Sequence, residues 1–247
     1  MSLGPKLLHL AVIGTLVLFT LACGRSGQVE STPTPLPTPT PIPTSLDAEA
    51  ILKQSGQVMQ AMESFHFRLS HEKGSMELSP GLLIHEVEGD VMNPDELSVS
   101  FTGVYGTGFA VKARLISLGD NSYMTNPLTG QWQAMASSVS PLDFFNPGWG
   151  IAAMMLRVGQ ASPLGEKRDK KGVYRMSGDL PAEALAPLLG PTLKDTSVRV
   201  ELTIDTNDLY LLEARFSGRV IPTDIDGVVR VITVSAFNEP VTIKAPL

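Results

Sequence analysis

One cysteine, Cys23, serves all 247 residues. That scarcity excludes an internal disulfide. It also excludes a CxxC pair and any zinc site built on several thiolates, which need further ligands at set spacings. The common catalytic signatures are missing as well. No GxSxG elbow, HExxH, P-loop or Gly-rich dinucleotide fingerprint occurs in the sequence. Positive charge is in short supply too: 19 Lys and Arg face 25 Asp and Glu, a net charge of −6. A chain this acidic lacks the basic footprint that nucleic acid requires. It also lacks the charge to hold an anionic bilayer by itself. Finally, the N-terminal apolar run Leu7–Leu21 is about fifteen residues, short of the roughly 20 that a spanning helix needs.

What is present begins with that run. Lys6 precedes it, and Ala22 and then Cys23 follow it. Basic start, apolar middle and small residue are the order of an export signal. Leu21, Ala22 and Cys23 resemble the bacterial lipobox, with Thr20 where Leu is commoner. In a lipobox the thiol receives a diacylglyceryl group and the signal is cut before it. The reading is therefore a signal peptide over 1–22 and a lipidated Cys23. An ordinary signal peptide with an incidental cysteine is the plainer alternative. Two or three acyl chains anchor stably, at roughly 0.8 kcal/mol per buried CH₂. Cleavage removes Lys6 and no acid, leaving the mature chain still more negative.

Residues 31–44 read STPTPLPTPTPIPT. Alternating proline bars helix and blocks sheet pairing, so this stretch is expected to run as polyproline II. Residues 23–45 then form a tether, semi-rigid and able to lift a domain roughly 60 Å from the bilayer. Thr alternating with Pro also suits a glycosylated stalk.

Residues 46–247 suffice for one sizeable domain. Asp47 suits an N-cap, with Glu49 in the first turn. Ile51, Leu52, Ser55, Val58, Met59 and Met62 then share one helical face. Gln54, Gln57, Gln60 and Glu63 lie largely opposite. After this helix the period changes to two. Phe65, Phe67 and Leu69 alternate with His66, Arg68 and Ser70, and Val198–Ile204 alternates most cleanly of all. FAVKARLISL turns at GDNS into YMTN, a hairpin. NPLTG and DTNDL read as further turns, and LYLLEARFSGRV and GVVRVITVSAF supply late strands. Many strands without a long helix between them mean an antiparallel sheet, and its twist makes it curl.

Two segments break this pattern. PAEALAPLLG, 181–190, suits a short helix ending at Gly190. SPLDFFNPGWGIAAMMLRVG, 140–159, is the more telling one. A helix over 151–157 is apolar on every face, so it is buried or lies against grease. Of the histidines beyond the signal, His66 and His71 project to opposite faces of one strand. His71 and His85 can meet across a hairpin, but solvated strand residues are the simpler reading. No metal or cofactor is expected.

The order of these pieces resembles a known family. The helix DAEAILKQSGQVMQAMESF, the Tyr123–Pro127–Gly130–Trp132 pattern, the apolar PLDFFNPGWGIAAMML and the ending Phe237-Asn238-Glu239-Pro240 resemble the LppX/LprG (LppX_LprAFG) family of bacterial lipoproteins. That family is related in fold to the LolA and LolB carriers. The resemblance implies an α+β fold: a strongly curved antiparallel β-sheet, a half-barrel, with helices covering its concave face. It also implies an apolar cavity for acyl chains and a non-enzymatic role, binding or carrying a lipid or glycolipid in the cell envelope. The expected location is extracytoplasmic, lipid-anchored to the cell membrane through Cys23, with an envelope transporter as a further partner. Cavity candidates from the sequence are Phe144, Phe145, Trp149, Ile151, Met154, Met155 and Leu156. Glycines at 106–108 and 146–150 are candidate hinges of an entrance. The competing reading is a non-catalytic envelope scaffold or sensor that binds another protein. It predicts a filled interior and an apolar patch outside.

Overall fold

The computed structural model describes residues 47–135, 150–165 and 172–246. Cys23, the tether, Phe144, Phe145 and Trp149 lie outside the described residues.

Helix α1, Ala48–Gln60, opens the domain. Asp47 Oδ1 accepts the Ala50 N–H at 3.1 Å, satisfying one of the free donors of the first turn. Ile51, Leu52, Ser55 and Met59 are buried, as the apolar stripe requires. Gln54, Gln57 and Gln60 are exposed on the far side.

Twelve strands follow in one antiparallel sheet: β1 (Ser64–Lys73), β2 (Met76–Ser79), β3 (Leu82–Met92), β4 (Glu96–Tyr105), β5 (Phe109–Leu118), β6 (Asn121–Thr125), β7 (Trp132–Met135), β8 (Gly159–Pro163), β9 (Val173–Pro181), β10 (Ser197–Asp205), β11 (Leu211–Ser217) and β12 (Val229–Ser235). Their spatial order is β7-β6-β5-β4-β3-β1-β12-β11-β10-β9-β8, with β2 beside β3. Among the described residues the sheet does not close: β7 and β8 are its two edges. The first and last strands are neighbours at the centre, with His66 opposite Ser235 and Leu69 opposite Ile232.

The period of two sorts the side chains. Phe65, Phe67 and Leu69 of β1, Leu97, Val99 and Phe101 of β4, Val198, Val200, Leu202 and Ile204 of β10, and Ile232 and Val234 of β12 all enter one core. The same core takes in the buried side of α1. Glycine stands on this inner face where strands crowd. A Cβ on Gly89 would lie 2.1 Å from Ser98 O, and one on Gly103 would lie 2.1 Å from Leu83 O. Only glycine permits so close an approach of neighbouring strands, and such positions let a sheet bend. The fold is α+β, an open, curved antiparallel sheet with a few helices.

The turns obey the local chemistry. Asp205 Oδ1 accepts the N–H groups of Asn207 at 2.7 Å and Asp208 at 3.1 Å, closing the β10–β11 hairpin. Asn126 caps the β6–β7 turn through Leu128 N, and Gly130 adopts φ 71° there. Beyond β12, Asn238 locks the chain end to the start of β1. Its N–H donates to Ser64 O at 2.8 Å, and its Oδ1 accepts from Glu63 N at 2.9 Å. Phe237 stacks on Tyr210 with centroids 4.4 Å apart.

Among the described residues, two further short helical pieces pack on the core: α2, Ile151–Leu156, and a 3₁₀ turn, Ala182–Leu185, running into α3, Ala186–Leu189. Pro181 precedes the 3₁₀ turn and ends β9, and Gly190 follows α3 with φ 81°. Among the described residues, no helix is long and apolar enough to cross a membrane.

Candidate functional site

Helix α2 carries the described part of the sequence-derived site. Ile151, Met154 and Met155 are 4%, 2% and 1% exposed, and all three belong to the continuous core. Leu156 points outward and is 58% exposed. The reason is geometric. A six-residue helix that is apolar all round must bury what it can, and α2 does so by lying across α1. A Cβ on Gly56 would stand 3.4 Å from Ala152 O and 3.6 Å from the Leu156 side chain. At Gly56 the two helices thus meet with room for a methyl group and no more.

Beside this crossing is a groove of about 330 Å³ lined by Glu49, Leu52, Lys53, Met155, Leu156 and Val158. Its lining is about equally polar and apolar: Leu52, Met155, Leu156 and Val158 supply the apolar part, and the exposed Glu49 and Lys53 put one charge of each sign at its edge. The volume falls near the lower end of the roughly 300–1,000 Å³ of small-molecule sites. The arrangement suits an alkyl group with a polar group left in water. Helix α1 is held in place from the other side. Ser55 Oγ donates to Leu209 O at 2.6 Å, and Leu211 N–H points at Met59 Sδ at 3.4 Å. The groove wall is therefore fixed to the β10–β11 turn.

A second feature went unmarked in the sequence reading. Arg230 and Asp224 form a fully buried ion pair, their side chains 1% and 0% exposed. Arg230 Nη1 donates to Asp224 Oδ2 at 3.0 Å, and Nη2 donates to Oδ1. Val220 N and Ile221 N donate to the same carboxylate at 2.8 and 3.0 Å. Burial by itself would raise the Asp224 carboxyl. The guanidinium and the two N–H groups outweigh it and hold the group below its ordinary value. The available signal was parity: Arg230 falls in step with Ile232 and Val234, on the inward side of its strand.

Across the ladder, Arg230 pairs in register with His71. His71 Nδ1 donates to His85 O at 3.0 Å, so the two histidines meet through the backbone and not ring to ring. Burial pushes the His71 imidazole below its usual value, against the pull of that hydrogen bond, and Arg230 pushes in the same direction as burial. His66 lies on the other face, its Nδ1 2.8 Å from Asp90 Oδ1. Among the described residues, no three His, Cys, Asp or Glu side chains gather as metal ligands would.

Comparison with known proteins bears on this architecture. The LppX_LprAFG lipoprotein family matches residues 47–243. Among solved structures, LprF from Mycobacterium bovis superposes with a TM-score of 0.62 at 20% identity, covering 82% of this chain and 98% of LprF. The lipoprotein LppX from Mycobacterium tuberculosis gives 0.55 at 20% identity, covering 80% of this chain and 98% of LppX. At this identity the two structures speak for the fold alone. No protein of curated function matches the sequence. With its match extending over residues 47–243, most of the chain, the protein belongs to the LppX_LprAFG lipoprotein family.

Proposed function

We propose that the protein is a membrane-anchored lipoprotein that binds the acyl chains of a lipid or glycolipid and carries or presents it in the cell envelope. In this reading residues 1–22 are a signal peptide. Cys23 bears the acyl anchor, 23–45 are the tether, and 46–247 are the lipid-binding domain. Phe144, Phe145, Trp149, Ile151, Met154, Met155 and Leu156 supply the apolar surface that meets the tail. The observation that carries the reading is α2: an all-apolar helix seated on Gly56 of α1, with Met155 and Leu156 forming the apolar side of a groove that Glu49 and Lys53 edge.

The mechanism is physical. A tail leaves the bilayer only for a site equally dry, since each CH₂ exposed to water costs roughly 0.8 kcal/mol. Methionine suits such a wall because its unbranched thioether adapts to varied shapes. The head group stays in water near Glu49 and Lys53. No bond is made or broken.

A second reading, a non-catalytic envelope scaffold or sensor, has one observation in its favour. Met154 and Met155 are almost wholly buried in the core, which a filled interior also gives. Met155→Trp separates the two. If the groove receives a tail, the indole fills it: lipid loading is lost and the protein stays folded. If the interior is solid, the same change overpacks it and costs about 1–3 kcal/mol of stability.

A further inference from the structure

The apolar inner face does not end where the core ends. On β4 the inward positions Leu97, Val99 and Phe101 are buried, and after Gly103 the next is Tyr105, 53% exposed. On β5 the inward positions Leu115, Ala113 and Val111 are buried, and the next is Phe109, 61% exposed. Tyr105 and Phe109 are register partners at the last rung of the hairpin. Only Gly106, Thr107 and Gly108 separate them, and a Cβ on either glycine would meet nothing within 4 Å. The tip is held on one side, where Gly106 N–H donates to Gly81 O at 2.9 Å and Tyr105 pairs with Leu82, and is open around Gly106 and Gly108. The neighbouring β6–β7 turn adds Leu128, 73% exposed.

Charge follows the same hairpin. The chain as a whole is acidic, at −6, yet from Leu97 to Gly119 there is no Asp or Glu. Lys112 and Arg114, on the outer face of β5, are the only charged residues in that stretch. Arg114 lies over the Trp132 ring, 5.1 Å from its centroid. The rings lie on the inner face at the tip and the cations on the outer face further along the same hairpin; aromatics and cations at one end of a sheet are the composition of a membrane interface, where rings sit at head-group depth and cations meet anionic lipid.

We propose that the β4–β5 tip is a bilayer-contact site. Tyr105 and Phe109 enter the lipid interface, and Lys112 and Arg114 face anionic head groups. A protein partner is the poorer fit: a stable interface takes about 800 Å² from each side, whereas this tip offers a few projecting side chains. The inference deepens the carrier reading, because it opens the inner face toward the membrane, and it rests on that reading for its purpose alone.

The test uses the full chain in vesicles of phosphatidylglycerol and phosphatidylcholine. Cys23→Ser removes the native thiol. Thr107→Cys then places one environment-sensitive fluorophore at the tip, and Asn207→Cys places it at the opposite end of the sheet. The tip label is expected to shift to the blue, to be quenched by brominated acyl chains and to be shielded from iodide. The Asn207 label is expected to do none of these. Tyr105→Ser with Phe109→Ser is expected to return the tip label to aqueous behaviour at unchanged thermal stability. Three results overturn the proposal: a tip label that behaves like the Asn207 label, lipid contact that survives the double substitution, or a blue shift that follows protein concentration without vesicles, which makes a second copy the occupant. Cargo is measured by mass spectrometry on the same samples. A cargo-free protein whose tip still enters the bilayer sinks the carrier reading and supports this one. A loaded protein whose tip stays in water does the reverse.

Discussion

The Arg230 guanidinium meets the Asp224 carboxylate end on, through Nη1 and Nη2, both groups sealed from solvent, and the Val220 and Ile221 N–H groups donate to Oδ2 as well. A pair of this kind is costly to break from one side. Asp224→Asn strands a buried cation and is expected to cost about 3–5 kcal/mol. Adding Arg230→Met removes that stranded charge, while the Asn oxygen still accepts from Val220 and Ile221. The double variant is therefore expected to be more stable than Asp224→Asn alone. Urea unfolding of the three proteins checks the coupling.

Gly56 yields a prediction of opposite sign for two neighbouring substitutions. Its imaginary Cβ sits at 3.4 Å from Ala152 O, an ordinary contact. Helix propensity then decides, and Gly56→Ala is expected to stabilise by about 0.5–1 kcal/mol. Gly56→Leu needs space that α2 occupies and is expected to cost about 1–3 kcal/mol. Thermal unfolding distinguishes the two.

His71 makes stability depend on pH. Its folded value lies below the unfolded one, so the unfolded chain binds more protons as pH falls through the ordinary histidine range. The stability in question is whole above about pH 6.5 and falls away below it. His71→Asn keeps a donor for His85 O and removes the titration. Unfolding free energies measured between pH 7.5 and pH 5 are expected to flatten in that variant. An unchanged slope would assign the effect elsewhere.

Much of this architecture was legible because it is local. The period of 3.6 in Ile51–Met59 and the period of two in Val198–Ile204 each name a buried face, and the structure buries those faces. Asp205 announced its turn, and the Phe237-Asn238-Glu239-Pro240 ending proved to be a clasp onto β1. What stayed hidden is what tertiary pairing decides. Nothing near Phe67 says that its strand lies against Val234. Nothing near Gly56 says that α2 crosses there. The apolar character of Ile151–Leu156 showed in the sequence, but not that Leu156 turns outward. Phe109 read as an ordinary strand residue and Tyr105 drew no reading, because only the fold decides where the covering of an inner face stops. Arg230 could have been found by parity alone.

The central claim is that the domain shelters a fatty tail, and organic extraction of the purified native protein tests it most directly. Mass spectrometry of the extract is expected to show an acyl lipid in near-stoichiometric amount, and delipidated protein is expected to take up added lipid. A protein that arrives empty from a lipid-containing host, and that fails to bind lipid when it is supplied, contradicts the account.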